Sequence, residues 1–194
     1  MASRSSPTSA PPLLNQAPLA EKRSVDQSGL ATPEAVSDQI EPAPVARRVL
    51  LLASAGGHWI ELCRLCAAFS DSDCLFVSTA PGMSPPVGTR EVIHVVDSSR
   101  DSLWTMMRTF ANLFPVIRSF RPDLVISTGA APGALGLAIA KLLGARTIWV
   151  DSIANSEVVS LSGRLVKPVA DLRLTQWPHL ANERSKLFYF GKIL

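Results

Sequence analysis

Beyond about residue 47 the chain changes from irregular to periodic. Residues 47–53, RRVLLLA, form an apolar run of strand length that ends at a glycine turn, the pattern of a strand buried on both faces. Similar runs recur at 74–78, 91–96, 123–127, 147–150 and 172–175. Between them, apolar residues fall at helical spacing over 59–69, 102–120 and 132–143, with Pro115 expected to kink or divide the second helix. Strands alternating with helices predict an α/β fold: a Rossmann-like, open, mostly parallel sheet. In such a sheet the loops that follow the strands share one edge, and ligands bind there. No internal repeat is present.

Composition divides the chain further. Residues 1–46 hold seven prolines, no aromatic residue and no sustained period, so a disordered tail is expected there and one folded domain over 47–194. The tail lacks the continuous apolar stretch of a secretory signal, which predicts a cytoplasmic chain. Of the 19 Lys and Arg, three lie in the tail, against five of the 16 Asp and Glu, which leaves a net +5 on the domain. That excess suits an anionic ligand, an acidic partner or an anionic membrane face. It is scattered and is not interleaved with aromatic residues, so nucleic acid is not an expected partner. No apolar stretch reaches the roughly 18–20 residues of a bilayer-spanning helix. Cys63 and Cys66 form a CxxC in an apolar helical run without a second CxxC or a His pair. Together with Cys74 they are expected to be reduced core thiols, not a metal site.

Chemistry concentrates in three loops that follow strands. Ser54-Ala55-Gly56-Gly57-His58 leads into a helix. Adjacent glycines permit positive φ and close backbone approach, and the helix N-terminus adds partial positive charge. This is the arrangement of a phosphate cradle, and equally of any tight strand-to-helix turn. The spacing GxGxxG and a Walker loop are both absent, so neither a dinucleotide cofactor nor ATP hydrolysis is expected. His58 is suited to donate to a phosphate oxygen or to take a proton from an attacking hydroxyl, the alternative being a local cap. His94 and His179 fall where structural roles are expected. The loop from Thr128 to Gly133 repeats the glycine device, with Pro132 fitted to a first helical turn. Asp151, at a strand end, and Glu157 offer carboxylates as bases, or as solvated loop charges or caps.

Four blocks, SAGGHWIELCRL, PDLVISTGAAPG, TIWVDSIANSEVVSLSGRLVKPVADLRLTQWPHL and YFGKIL, resemble a known family in order and spacing. It is the membrane-associated subunit of the two-subunit UDP-N-acetylglucosamine transferase of dolichol-linked oligosaccharide synthesis. The bacterial counterparts in capsule and exopolysaccharide assembly are more similar still. The resemblance runs from about Arg47 to Leu194 and implies the N-terminal half of a GT-B glycosyltransferase, with a donor-binding partner subunit supplying the sugar-nucleotide half. It implies that Gly56, Gly57 and His58 face the diphosphate of a polyprenyl-diphosphate-linked sugar acceptor, that Gly129 and Gly133 line the same cleft, and that Gln176, Trp177 and Pro178 lie toward the partner. His58 and Asp151 are its catalytic candidates; no metal or cofactor is implied. The family often has Glu-Ser where this chain has Asp151-Ser152, a carboxylate of shorter reach. The eukaryotic subunit begins with a membrane-spanning anchor that has no counterpart here, so contact with the cytoplasmic face of a membrane is expected to be peripheral.

Length points the same way. A complete GT-B enzyme takes roughly 300 residues or more, about twice the expected domain, so the chain alone is expected to be an incomplete enzyme. The expected function is therefore a UDP-sugar-dependent glycosyltransferase subunit that recruits a lipid-linked acceptor. A non-catalytic membrane scaffold for the partner and a stand-alone phosphate- or nucleotide-sugar-binding enzyme are the alternatives. Residues 102–122 carry more apolar side chains than one core-facing stripe requires, with Arg108, Arg118 and Arg121 beside them. Core burial, partner contact and shallow insertion among lipid headgroups are all open to this segment.

Overall fold

The computed structural model describes residues 48–86, 92–95 and 103–193. The expected tail, both ends of the expected third strand and Leu194 lie outside the described residues. The strands are β1 (Arg48–Ala53), β2 (Asp73–Ser78), β3 (Ile93–His94), β4 (Leu124–Ser127), β5 (Arg146–Val150), β6 (Leu172–Leu174) and an additional β7 (Leu187–Phe188). All seven pair in parallel, in the order β3-β2-β1-β4-β5-β6-β7.

Helices on both faces explain why β1 is apolar from Val49 onward. Val49, Leu51 and Ala53 pack with Trp59 and Leu62 of α1 (Gly57–Leu65). Leu50 and Leu52 face the other way, against Leu113 and Ile117 of α2 (Leu103–Phe120) and Ile139 and Ala140 of α3 (Ala130–Leu142). A strand covered on both sides has no solvent face on which to place polar residues. The expected division of α2 at Pro115 does not occur: the helix runs through it. Pro115 and Ala111, whose carbonyl loses its helical partner, both lie on the exposed side, where that carbonyl is not shut away from solvent.

Two glycines let α3 press on the sheet. A Cβ on Gly136 would stand 2.2 Å from Leu52 Cδ2, and one on Gly133 would stand 2.0 Å from Ser127 Oγ. A short α4 (Leu161–Leu165) begins at Ser160, whose hydroxyl accepts from the Gly163 N–H. From β1 the chain builds outward to β2 and β3, then returns to the other flank for β4 to β7. The direction therefore reverses between β1 and β4, and the crevice at their carboxyl ends is the topological switch point of the sheet.

Candidate functional site

The parallel sheet brings the three loops to one edge, and α1 joins them. Gly56 has φ 71° and ψ −134°, a conformation that only glycine adopts without strain. Positive φ, permitted by both glycines of the pair, is used only at Gly56; Gly57 opens the helix with empty space where a Cβ would stand. No side chain caps α1, and none caps α3, whose approach through Gly129 at φ 154° is followed by Ala130 at φ 63°. Both helices thus keep first-turn N–H groups free of side-chain caps, with the partial positive charge of a helix N-terminus.

His58 lies between these two helix ends. Its Nδ1 is 2.9 Å from the Thr128 carbonyl oxygen, and the Thr128 hydroxyl donates to the His58 carbonyl at 2.7 Å. A carbonyl oxygen only accepts, so Nδ1 carries the hydrogen and the neutral ring keeps its lone pair on Nε2. Among the described residues nothing hydrogen-bonds that nitrogen, and the side chain is 30 % exposed. Gly129 is required beneath the ring, since a Cβ there would come within 2.3 Å of Cε1 and Nδ1. The arrangement is that of a base or acceptor held in one tautomer and open to a ligand.

Asp151, expected as a base, a solvated loop charge or a cap, is not a solvated charge. It is buried, Oδ2 accepts from the Ser160 N–H at 2.9 Å, and Oδ1 accepts from the Ser160 hydroxyl and from Trp149 Nε1. These bonds tie down the 152–160 loop and the start of α4. Arg173, also buried, donates to the Gly163 and Ser185 carbonyls; burial lowers its guanidinium from the ordinary value, and the charge of Asp151 opposes that. Gly133 is buried against Ser127 and Trp149 and serves the approach of α3 to the sheet. Of the three expected partner-facing residues, Gln176 is buried, donating to the Asp151 carbonyl at 3.2 Å and accepting from the Ile193 N–H at 2.9 Å. Trp177 is half-buried, donates to the Ile153 carbonyl at 2.8 Å and lies under Lys192, while Pro178 is exposed.

Two residues of the site carry no chemistry in the sequence reading. Thr128 acts through its backbone carbonyl and its hydroxyl. Glu61 is buried, with Oε1 accepting from the Ser152 hydroxyl and the Ile153 N–H, both at 2.9 Å, and so links α1 to the loop after β5. Its spacing of three from His58 on a helix was the available signal. The cysteines are free thiols, with Cys66 Sγ donating to the Cys63 carbonyl at 2.8 Å, and burial pushes all three up. No three His, Cys, Asp or Glu side chains gather as metal ligands among the described residues.

One end of α2 shares the edge of the site. Its last turn sits at the strand starts, where Arg48 donates to the Phe120 carbonyl at 3.0 Å, so its first turns reach the strand ends. Leu103, Trp104, Met106, Met107 and Arg108 are exposed there; Trp104 is 80 % exposed. Further along the helix Phe110 and Phe114 are also exposed, and Arg118, one turn beyond Phe114, lines shallow depressions with Arg121, Arg48 and Arg146 toward the opposite edge. No helix among the described residues is long and apolar enough to cross a membrane.

Residues 89–193 match the model of a family described as oligosaccharide biosynthesis protein Alg14 like. Curated relatives include the UDP-N-acetylglucosamine transferase subunit ALG14 of Rattus norvegicus, 26% identical over 178 residues that cover 75% of this chain and 82% of the relative. The protein of the same name from Schizosaccharomyces pombe is 27% identical over 184 residues, covering 76% and 84%. Among solved structures, MurG of Acinetobacter baumannii matches with a TM-score of 0.57 at 16% identity, over 74% of this chain and 45% of that one. A UDP-N-acetylglucosamine 2-epimerase from Rickettsia bellii matches with a TM-score of 0.57 at 14% identity, over 76% and 45%. These likenesses show a shared Rossmann-like fold, and the chain spans about half the length of the solved structures that it matches.

Proposed function

The chain belongs to the family of oligosaccharide biosynthesis proteins like Alg14, and from that premise we propose that it is the acceptor-side subunit of a UDP-sugar-dependent glycosyltransferase acting on a lipid-linked sugar. The observation that carries this reading is His58, held at the switch point between two helix N-termini with Nε2 unoccupied by any described residue. The acceptor diphosphate lies along the first-turn N–H groups of α1 and α3, with Gly56 and Gly57 allowing close backbone approach and Gly129 seating the His58 ring. Thr128 fixes the imidazole, while Gly133 and Asp151 hold the loops around it.

A donor-binding partner brings the UDP-sugar to the open side of the cleft, and Trp177 and Pro178 lie toward it. On transfer, the acceptor hydroxyl oxygen bonds to the anomeric carbon. The bond from that carbon to UDP breaks with its electron pair on the departing diphosphate, and the hydroxyl proton passes to His58 Nε2. The exposed apolar end of α2 rests on the cytoplasmic face of a membrane, which brings a bilayer-embedded acceptor to the edge that holds His58.

Reconstitution with the donor-binding subunit tests the reading. His58→Ala is expected to lower transfer about 10²- to 10⁴-fold with subunit pairing intact. Unchanged transfer by the assembled variant would favour a scaffold that only places its partner.

A further inference from the structure

Glu61 is 1 % exposed, a degree of burial at which acidic side chains are rarely found without full pairing. Only half of the carboxylate is paired. Oε1 takes both bonds from Ser152 and Ile153, whereas Oε2 has no hydrogen-bond partner and stands 4.0 Å from Nδ1 of His58. A tie to the 152–153 loop needs a single accepting oxygen, which a glutamine would supply at lower desolvation cost. A full carboxylate gains over an amide when positive charge arises beside it. The imidazole one turn back is placed to acquire that charge: Nδ1 already carries a hydrogen, so a proton arriving at Nε2 makes the ring a cation facing Oε2.

We infer that Glu61 is a positioning residue for sugar transfer, its half-paired buried carboxylate being the fixed counter-charge that holds His58 while the ring carries the acceptor's proton. The inference rests on the reading of His58 as the base. Through Oε1 the same carboxylate fastens the loop after β5 to the helix that bears His58, so charge and loop are set by one side chain. The proton remains on Nε2 throughout, and Glu61 neither gains nor loses one.

Glu61→Gln keeps the volume and an oxygen for Ser152 and Ile153 but removes the charge. In the assembled complex with a polyprenyl-diphosphate sugar it is expected to lower kcat about 10- to 100-fold while the acceptor KM stays within about twofold. The Glu61→Gln/His58→Ala double variant should be no slower than His58→Ala, because the carboxylate acts through the ring. Ser152→Ala weakens the loop tie and leaves the charge, so kcat should stay within about threefold of wild type. Full kcat in Glu61→Gln, losses that multiply in the double variant, or a Ser152→Ala as slow as Glu61→Gln would each overturn the inference. An unimpaired His58→Ala would remove the reading of His58 itself, whereas an impaired His58→Ala beside a wild-type-like Glu61→Gln removes only the role of Glu61. If Glu61→Gln does not fold, Glu61→Asp, which keeps the charge but withdraws it from the ring, is read by the same criteria of kcat loss, constant KM and non-additivity.

Discussion

Adjacent residues of one type do different work in the first loop. Gly56 holds a backbone conformation closed to other residues, so Gly56→Ala is expected to cost about 1–3 kcal/mol in stability, read from denaturant midpoints. Gly57 has ordinary φ and open space around its Cα, so Gly57→Ala should leave stability within about 0.5 kcal/mol. Its methyl group would enter the space assigned to the acceptor, and the expected loss is a higher acceptor KM at constant melting temperature. Equal stability losses in the two variants would remove the distinction. Gly56, Gly57 and His58 were legible as a site because their residue types announce backbone freedom and proton transfer. Glu61 and Thr128 were not. A glutamate on an amphipathic helix reads as a solvated face until the tertiary fold buries it, and a backbone carbonyl has no signature in sequence.

Elements follow the same division between what periodicity announces and what only contact defines. The alternation of six apolar runs with three helical stretches was enough to predict a parallel α/β sheet. The two residues of β7 and the five of α4 are shorter than any period that could mark them, and exist because the sheet edge and the Ser160 cap receive them. Continuity of α2 through Pro115 was likewise illegible, since it depends on which side of the helix meets water. For α3 the sequence reading placed Gly133 at the cleft and did not mark Gly136. Both face the sheet, so Gly136→Ala, with its Cβ 2.2 Å from buried Leu52, is expected to destabilise by about 1–3 kcal/mol in denaturant unfolding. The far end of α3 is tied through Lys141 to Asp171, which also accepts from the Thr147 N–H of β5 at 2.9 Å. Burial pushes the Asp171 carboxyl up, but the bonds from Lys141 and Thr147 outweigh it and hold the group below its ordinary value of 3.8. A carboxyl lowered in the folded state stabilises above its unfolded value and loses that contribution as pH falls through the folded one. Asp171→Asn should therefore melt lower than wild type at neutral pH, with the difference closing as the pH is taken below 3.8; a difference that persists in acid would assign the effect to packing.

At the scale of the molecule, the site lies along a single edge, with the exposed apolar end of α2 at one side of it and, on the function proposed above, the donor-binding partner across it. The fold fixes this orientation, because parallel strands send every strand-to-helix loop to the same edge and α2 begins there. The membrane reading consequently makes a demand on geometry as well as on composition: only the end of α2 near His58 should meet lipid, although the helix carries positive charge at both ends. Trp104 and Met107, exposed beside Arg108, are the residues to change, and Arg118 and Arg121 at the opposite edge are the control. In co-sedimentation of the full chain with anionic vesicles, Trp104→Ser/Met107→Ser is expected to weaken binding roughly tenfold through the loss of inserted apolar surface. Arg118→Ser/Arg121→Ser should bind nearly as wild type, since charges on the far edge lie beyond the roughly 8–10 Å over which salt leaves them effective. The reverse ranking would place the opposite edge on the membrane and His58 away from it, and a bilayer-embedded acceptor would then have no path to the base.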